Sequence, residues 1–124
     1  MSAETITAPA MTAAQARAEE KRLDVAVSRA REALRAQREA VAPDEEVAAG
    51  EDALAVTLDA RAAHWAAVAN ALSHGGMGNL DHDLRDVAWS AAWDAGKYSE
   101  ELAGRARGHA RWLRLQAEKS GRPA

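Results

Sequence analysis

Between Thr12 and Ser120 the helical rhythm of the chain is broken at only two places, Ala42-Pro43 and the run His74-Gly75-Gly76-Met77-Gly78-Asn79. Few folds are compatible with that punctuation. On either side of each break apolar residues return every three or four positions, as one face of a helix does. Strand-like alternation is absent. Short connections between long helices favour antiparallel neighbours. The expected fold is therefore all-α: an antiparallel bundle or coiled coil of three long helices spanning about 12–42, 44–74 and 80–119.

Each boundary has a local cause. Thr12 and Gln15 form a capping-box pair, and Leu23, Val27, Ala30, Leu34 and Val41 trace the first stripe. Pro43 suits the first turn of a new helix, and Asp44, Glu45 and Glu46 complement its positive dipole end. Val47, Leu54, Leu58, Trp65 and Leu72 trace the second stripe, which also carries Glu51 and Arg61 and which His74-Gly75-Gly76 ends. Asn79 or Asp81 can cap the third helix, whose stripe reads Leu84, Ala88, Ala91, Ala95, Tyr98, Leu102 and Leu113. That stripe keeps its phase through Gly96, which favours one continuous helix over a break there that would give four. Residues 1–11 read as a flexible arm, 12–120 as a single domain and 121–124 as a tail behind the Ser120-Gly121 stop.

Composition limits what the bundle can bury. Hydrophobic residues fill 48% of the 124 positions, but 33 of them are alanine and none is phenylalanine. A core this thin calls for close backbone packing through alanine, or for a partner that adds buried area. Cysteine is absent, which excludes disulfides, a thiolate nucleophile and Cys-ligated zinc. No stretch approaches the roughly 20 apolar residues that span a bilayer, so membrane insertion is not expected. The start, MSAETITAPAM, lacks the basic residues and apolar run of a secretory signal, and a cytoplasmic location is expected. Thirteen arginines against three lysines, with abundant alanine, mark a GC-rich bacterial genome rather than a function.

Two tryptophans carry the functional expectation. At 100° per residue, Trp89 and Trp93 fall away from the stripe of helix three, although each can bury about 150–250 Å². Helix two has a matching oddity: between Ala60 and Leu72 its one formal charge is Arg61, and its back face is Ala63, Ala66, Ala67 and Asn70. Antiparallel pairing sets these two faces at the same end of the bundle. A contiguous exposed apolar surface marks an interface, and Trp is a favoured anchor. The competing reading folds both indoles inward against the small-residue start of helix one.

Other constellations are weaker. Arg61, His64, Trp65, Glu20 and Asp24 fall at one height and can form either an anion-holding pocket or a register-fixing ion pair; the ion pair is the commoner outcome. His82 and Asp86, four apart, can converge on a cation, but no third and fourth ligands follow, so neither a metal nor another cofactor is expected. Arg105, Arg107, Arg111 and Arg114 form a basic helix that could contact phosphates. Antiparallel packing sets them beside Asp44, Glu45, Glu46, Glu51, Asp52 and Asp59, and internal compensation is the simpler reading. No Gly-x-Ser-x-Gly turn or flanked nucleophile appears, so no catalytic residue is assigned. The expectation is a non-enzymatic helical interaction or accessory protein. Its partner is a second copy, in a homodimer through the Trp/Ala face, or another helical protein. A ligand- or metal-binding bundle is the alternative, and nucleic-acid binding the third reading.

Overall fold

The computed structural model describes residues 11–121, and these form three helices: α1 (Ala13–Glu39), α2 (Asp44–Ser73) and α3 (His82–Lys119). No strand occurs among the described residues. The all-α bundle read from the sequence is the fold, and α3 runs unbroken through Gly96. α2 is its central member. Both other helices pack on it, whereas no Cα of α1 comes within 8 Å of one in α3, so that side is closed by side chains alone.

The ends follow from local chemistry. Thr12 and Gln15 make the reciprocal capping box. Pro43 is the N-cap of α2, ahead of the acidic first turn. Asp81, not Asn79, caps α3, its side chain accepting from the Leu84 N–H at 2.9 Å. Arg85 then reaches back and donates to the carbonyls of Leu72 (3.0 Å), Gly76 (2.8 Å) and Gly78 (3.0 Å). The guanidinium thus ties the end of α2 and the loop after it to the start of α3.

Three expectations need correction. α1 stops at Glu39 because the chain reverses through Val41, which has φ +53 and a side chain 87% exposed; it is a turn residue and not part of the stripe. Met11 is no free arm: its carbonyl accepts from the Met77 N–H at 3.1 Å and the residue is half-buried. Residues 1–10 of the expected arm and 122–124 of the tail lie outside the described residues.

The third correction concerns the phase of α3. Leu84, Ala91 and Tyr98 of the expected stripe are exposed, and Leu102 is half-buried. The buried face is Ala92, Gly96, Ser99, Ala103, Ala106, Ala110, Leu113 and Ala117, spaced alternately by four and three. Opposite it α2 presents Ala48, Ala55, Ala62 and Ala69, seven apart and all buried. Small side chains on both sides let the helix axes approach closely, and large ones would hold them apart. Shape therefore outweighs side-chain hydrophobicity in choosing the face. A Cβ built on Gly96 would lie 3.4 Å from the Cβ of Trp65, an ordinary contact. Gly96→Ala is thus expected to raise stability by about 0.5–1 kcal/mol through helix propensity, measurable by urea unfolding. Gly96→Val, which adds bulk beyond that point, should lower it.

Two apolar clusters result. One joins Val27 and Leu34 of α1, Leu54 and Leu58 of α2, and Ala103, Ala106, Ala110 and Leu113 of α3. The other gathers Val68, Ala69, Leu72 and Ala92, with Met11, Trp65, Met77 and Leu80 packed around them. A polar tie links the three helices. The Arg61 Nε–H donates to the Oγ of buried Ser99 at 3.1 Å, and the other end of the guanidinium lies 3.6 Å from Asp24 of α1.

Candidate interaction surface

Trp89 and Trp93 lie one turn apart on a flank of α3, 38% and 48% exposed. Their rings stack, with centroids 5.7 Å apart and planes within 10°. One turn further on, the Lys97 ammonium sits 4.5 Å from the Trp93 ring centroid, a cation–π contact that closes the row. On the same flank two heptads later, Arg107 pairs with Asp59 of α2. That pair fixes which side of α2 the indoles border: the side carrying Ala63, Ala66 and Asn70, spaced from Asp59 as one helix face. Ala63, Ala66, Ala67 and Asn70 are all exposed. The exposed face of α2 extends further than expected, through Ala49, Ala53, Val56 and Ala60, with Asp59 and its partner Arg107 at its border.

The Arg61 group is arranged otherwise. Its guanidinium is engaged by Ser99 and Asp24, tying helices together. His64 is buried, its ring tilted against that of Trp65 at 5.3 Å, and its Nε2 has no hydrogen-bond partner. Glu20 and Asp24 line a groove along α1 with Arg17, Lys21 and Val25, a set that does not include Arg61, His64 or Trp65. Of the five residues named from sequence, the structure brings Arg61 to Asp24, His64 to Trp65, and Glu20 beside Asp24 along the groove.

His82 Nε2 lies 3.3 Å from Asp86 Oδ2, and both side chains stand mostly in solvent. Among the described residues no group of three or more His, Asp or Glu side chains converges to hold a metal ion.

In the basic segment, Arg114 is clasped by Glu45 (2.9 Å) and Asp52 (2.8 Å), and Arg107 by Asp59. Hydrogen bonds donated to Glu45 and to Asp52 hold the pKa of the Arg114 guanidinium above its ordinary range. Arg105 pairs with Glu101 on its own helix, and Arg111 is exposed. The acidic start of α2 thus faces the basic end of α3, as antiparallel packing requires.

Sequence reasoning missed two features. One is a cleft of about 540 Å³ between α1 and α3, floored by Leu54 and Leu58 and rimmed by Arg31, Arg35, Arg38, Arg105 and His109. At its base buried Glu51 accepts from Arg38 at 2.8 Å and meets His109. The signal for it, arginines four and three apart on α1, reads in sequence only as a solvated face. The other is the outer side of α3, where Leu84, Val87, Tyr98, Trp112 and Leu115 are all about half-exposed or more.

These features define an all-α three-helix protein whose most unusual property is apolar surface left in water. No family model, curated protein or solved structure matches the chain. No helix among the described residues is long and apolar enough to cross a membrane.

Proposed function

We propose that this chain is a non-enzymatic helical interaction protein that self-associates, with the Trp89–Trp93 flank as a contact surface. The observation that carries this reading is the stacked, half-exposed indole pair beside an alanine-lined face of α2. Large aromatic rings left in water at a helix–helix border favour docking, because a partner removes their apolar area from solvent. Alanines alongside let a second helix come close. The other readings have less behind them. Arg61 is engaged within the bundle, and three of the four arginines of the basic segment already hold carboxylates.

Light scattering over a concentration series tests the proposal. The natural chain is expected to exceed monomer mass, increasingly so with concentration. Trp89→Ala combined with Trp93→Ala should lower that mass while costing only ~1 kcal/mol of stability, as for half-exposed side chains. A monomer at every concentration would exclude self-association. A variant of unchanged mass that has lost several kcal/mol would make the indoles structural instead.

A further inference from the structure

The outer side of α3 carries its own pattern. Leu84, Val87, Ala91, Asp94, Tyr98, Glu101, Arg105, Gly108, Trp112 and Leu115 follow one another by three and four residues, and every one is exposed. They lie across the helix from Trp89 and Trp93. Such spacing is a heptad seam, the positions that meet a second helix in supercoiled pairs. The seam covers 31 residue steps, about 46 Å. Its ends are apolar and its centre is charged.

We propose that this seam binds the same seam of a second copy, antiparallel, about a two-fold axis midway between Ser99 and Glu100. The inference rests on the self-association reading and adds a contact surface distinct from the indole flank.

Register carries the argument. With the two helices antiparallel about that axis, Leu84 lies opposite Leu115 of the other copy, Val87 opposite Trp112, and Ala91 opposite Gly108. Asp94 then lies opposite Arg105, whose guanidinium also holds Glu101 of its own helix at 2.7 Å, and Tyr98 lies opposite Glu101. Every Leu, Val, Ala and Trp position meets an apolar or small one, and both acidic positions meet a suitable donor. The tyrosine hydroxyl can donate to the Glu101 carboxylate, and Asp94, which has no ion pair among the described residues, gains one. Antiparallel packing also requires each first heptad position to meet a fourth, and all five layers satisfy that.

Other arrangements are worse on the same residues. A parallel pair sets Asp94 against Asp94, Glu101 against Glu101 and Arg105 against Arg105, like charges that repel. A shift of one heptad in one direction opposes Val87 to Arg105 and Ala91 to Glu101. A shift in the other opposes Asp94 to Trp112. The symmetry is that of an isologous dimer, in which residue i meets j and j meets i.

Because the chain has no cysteine, disulfide trapping reads the register directly. Ala91→Cys with Gly108→Cys puts thiols about 25 Å apart on one helix, too far to join within a chain. Mild oxidation is expected to give a covalent dimer at least tenfold faster than Ala91→Cys with Glu101→Cys, which reports the neighbouring heptad register. The same trapping should persist when Trp89→Ala and Trp93→Ala are added, since the seam does not use the indoles. In the Cys-free chain, Asp94→Arg should weaken association roughly tenfold by turning two attractions into repulsions. Adding Arg105→Asp should recover most of that loss.

Equal trapping of the two cysteine pairs, or a double reversal no better than the single one, would overturn the seam. If either occurred while light scattering still showed self-association lost with the indoles, the indole contact alone would stand. A chain monomeric at all concentrations that traps neither pair would remove both.

Discussion

Leu58→Ala is expected to destabilise the protein by about 2–5 kcal/mol. Leu58 is 1% exposed, the largest fully buried side chain among the described residues, and sits where α1, α2 and α3 share one cluster. The cluster around it also holds Val27, Leu34, Leu54, Ala103 and Leu113, drawn from three separate helices that cannot all shift into the space vacated. Alanine truncation therefore leaves a cavity in addition to losing transfer free energy. In a domain with total stability on the order of 5–15 kcal/mol, such a loss is a large fraction. Chemical unfolding should show a lower midpoint with an unchanged denaturant slope. A loss below about 1 kcal/mol would mean that the cluster relaxes freely, contrary to its close packing.

Ala103→Leu should act in the opposite sense on volume and in the same sense on stability. Ala103 is fully buried in the face of α3 that meets α2. That interface holds its spacing because alanine, glycine and serine occupy the facing positions. Three added carbons have no space unless the helices separate or tilt, and overpacking of this kind costs about 1–3 kcal/mol, sometimes more. Separation would also strain the Arg61–Ser99 bond one turn away. By contrast, Ala63→Leu on the exposed face of α2 should change stability by less than about 0.5 kcal/mol. Thermal unfolding of the two variants side by side tests whether small residues at 103 and 63 serve different ends. Equal effects would contradict the packing described.

How much of this was legible in sequence depends on the kind of signal. Caps were readable because they are local: Thr12–Gln15 and Asp81 act within one turn. The opposition of Glu45, Asp52 and Asp59 to Arg107 and Arg114 was also readable, since antiparallel order alone brings a helix start beside a helix end. The outward placement of Trp89 and Trp93 came from a stripe whose phase was set by Leu84 and Tyr98. The true buried face centres on Gly96, Ser99 and Ala103. Both indoles nevertheless stand on a flank of it. Reading hydrophobicity alone gave too much weight to large side chains in a helix that buries its small ones. Of the Arg61 layer, the Arg61–Asp24 pair forms across helices, but which other members face one another depends on the angle between α1 and α3 about α2.

The sequence by itself determined three helices, their ends apart from the close of α1, and their antiparallel order, because caps, breakers and short loops act over a few residues. The tertiary structure alone decided which face of α3 is buried, which arginines are engaged and which apolar residues stay in water. Those outcomes depend on how closely two helix axes can approach, and that is a property of paired surfaces rather than of either segment alone.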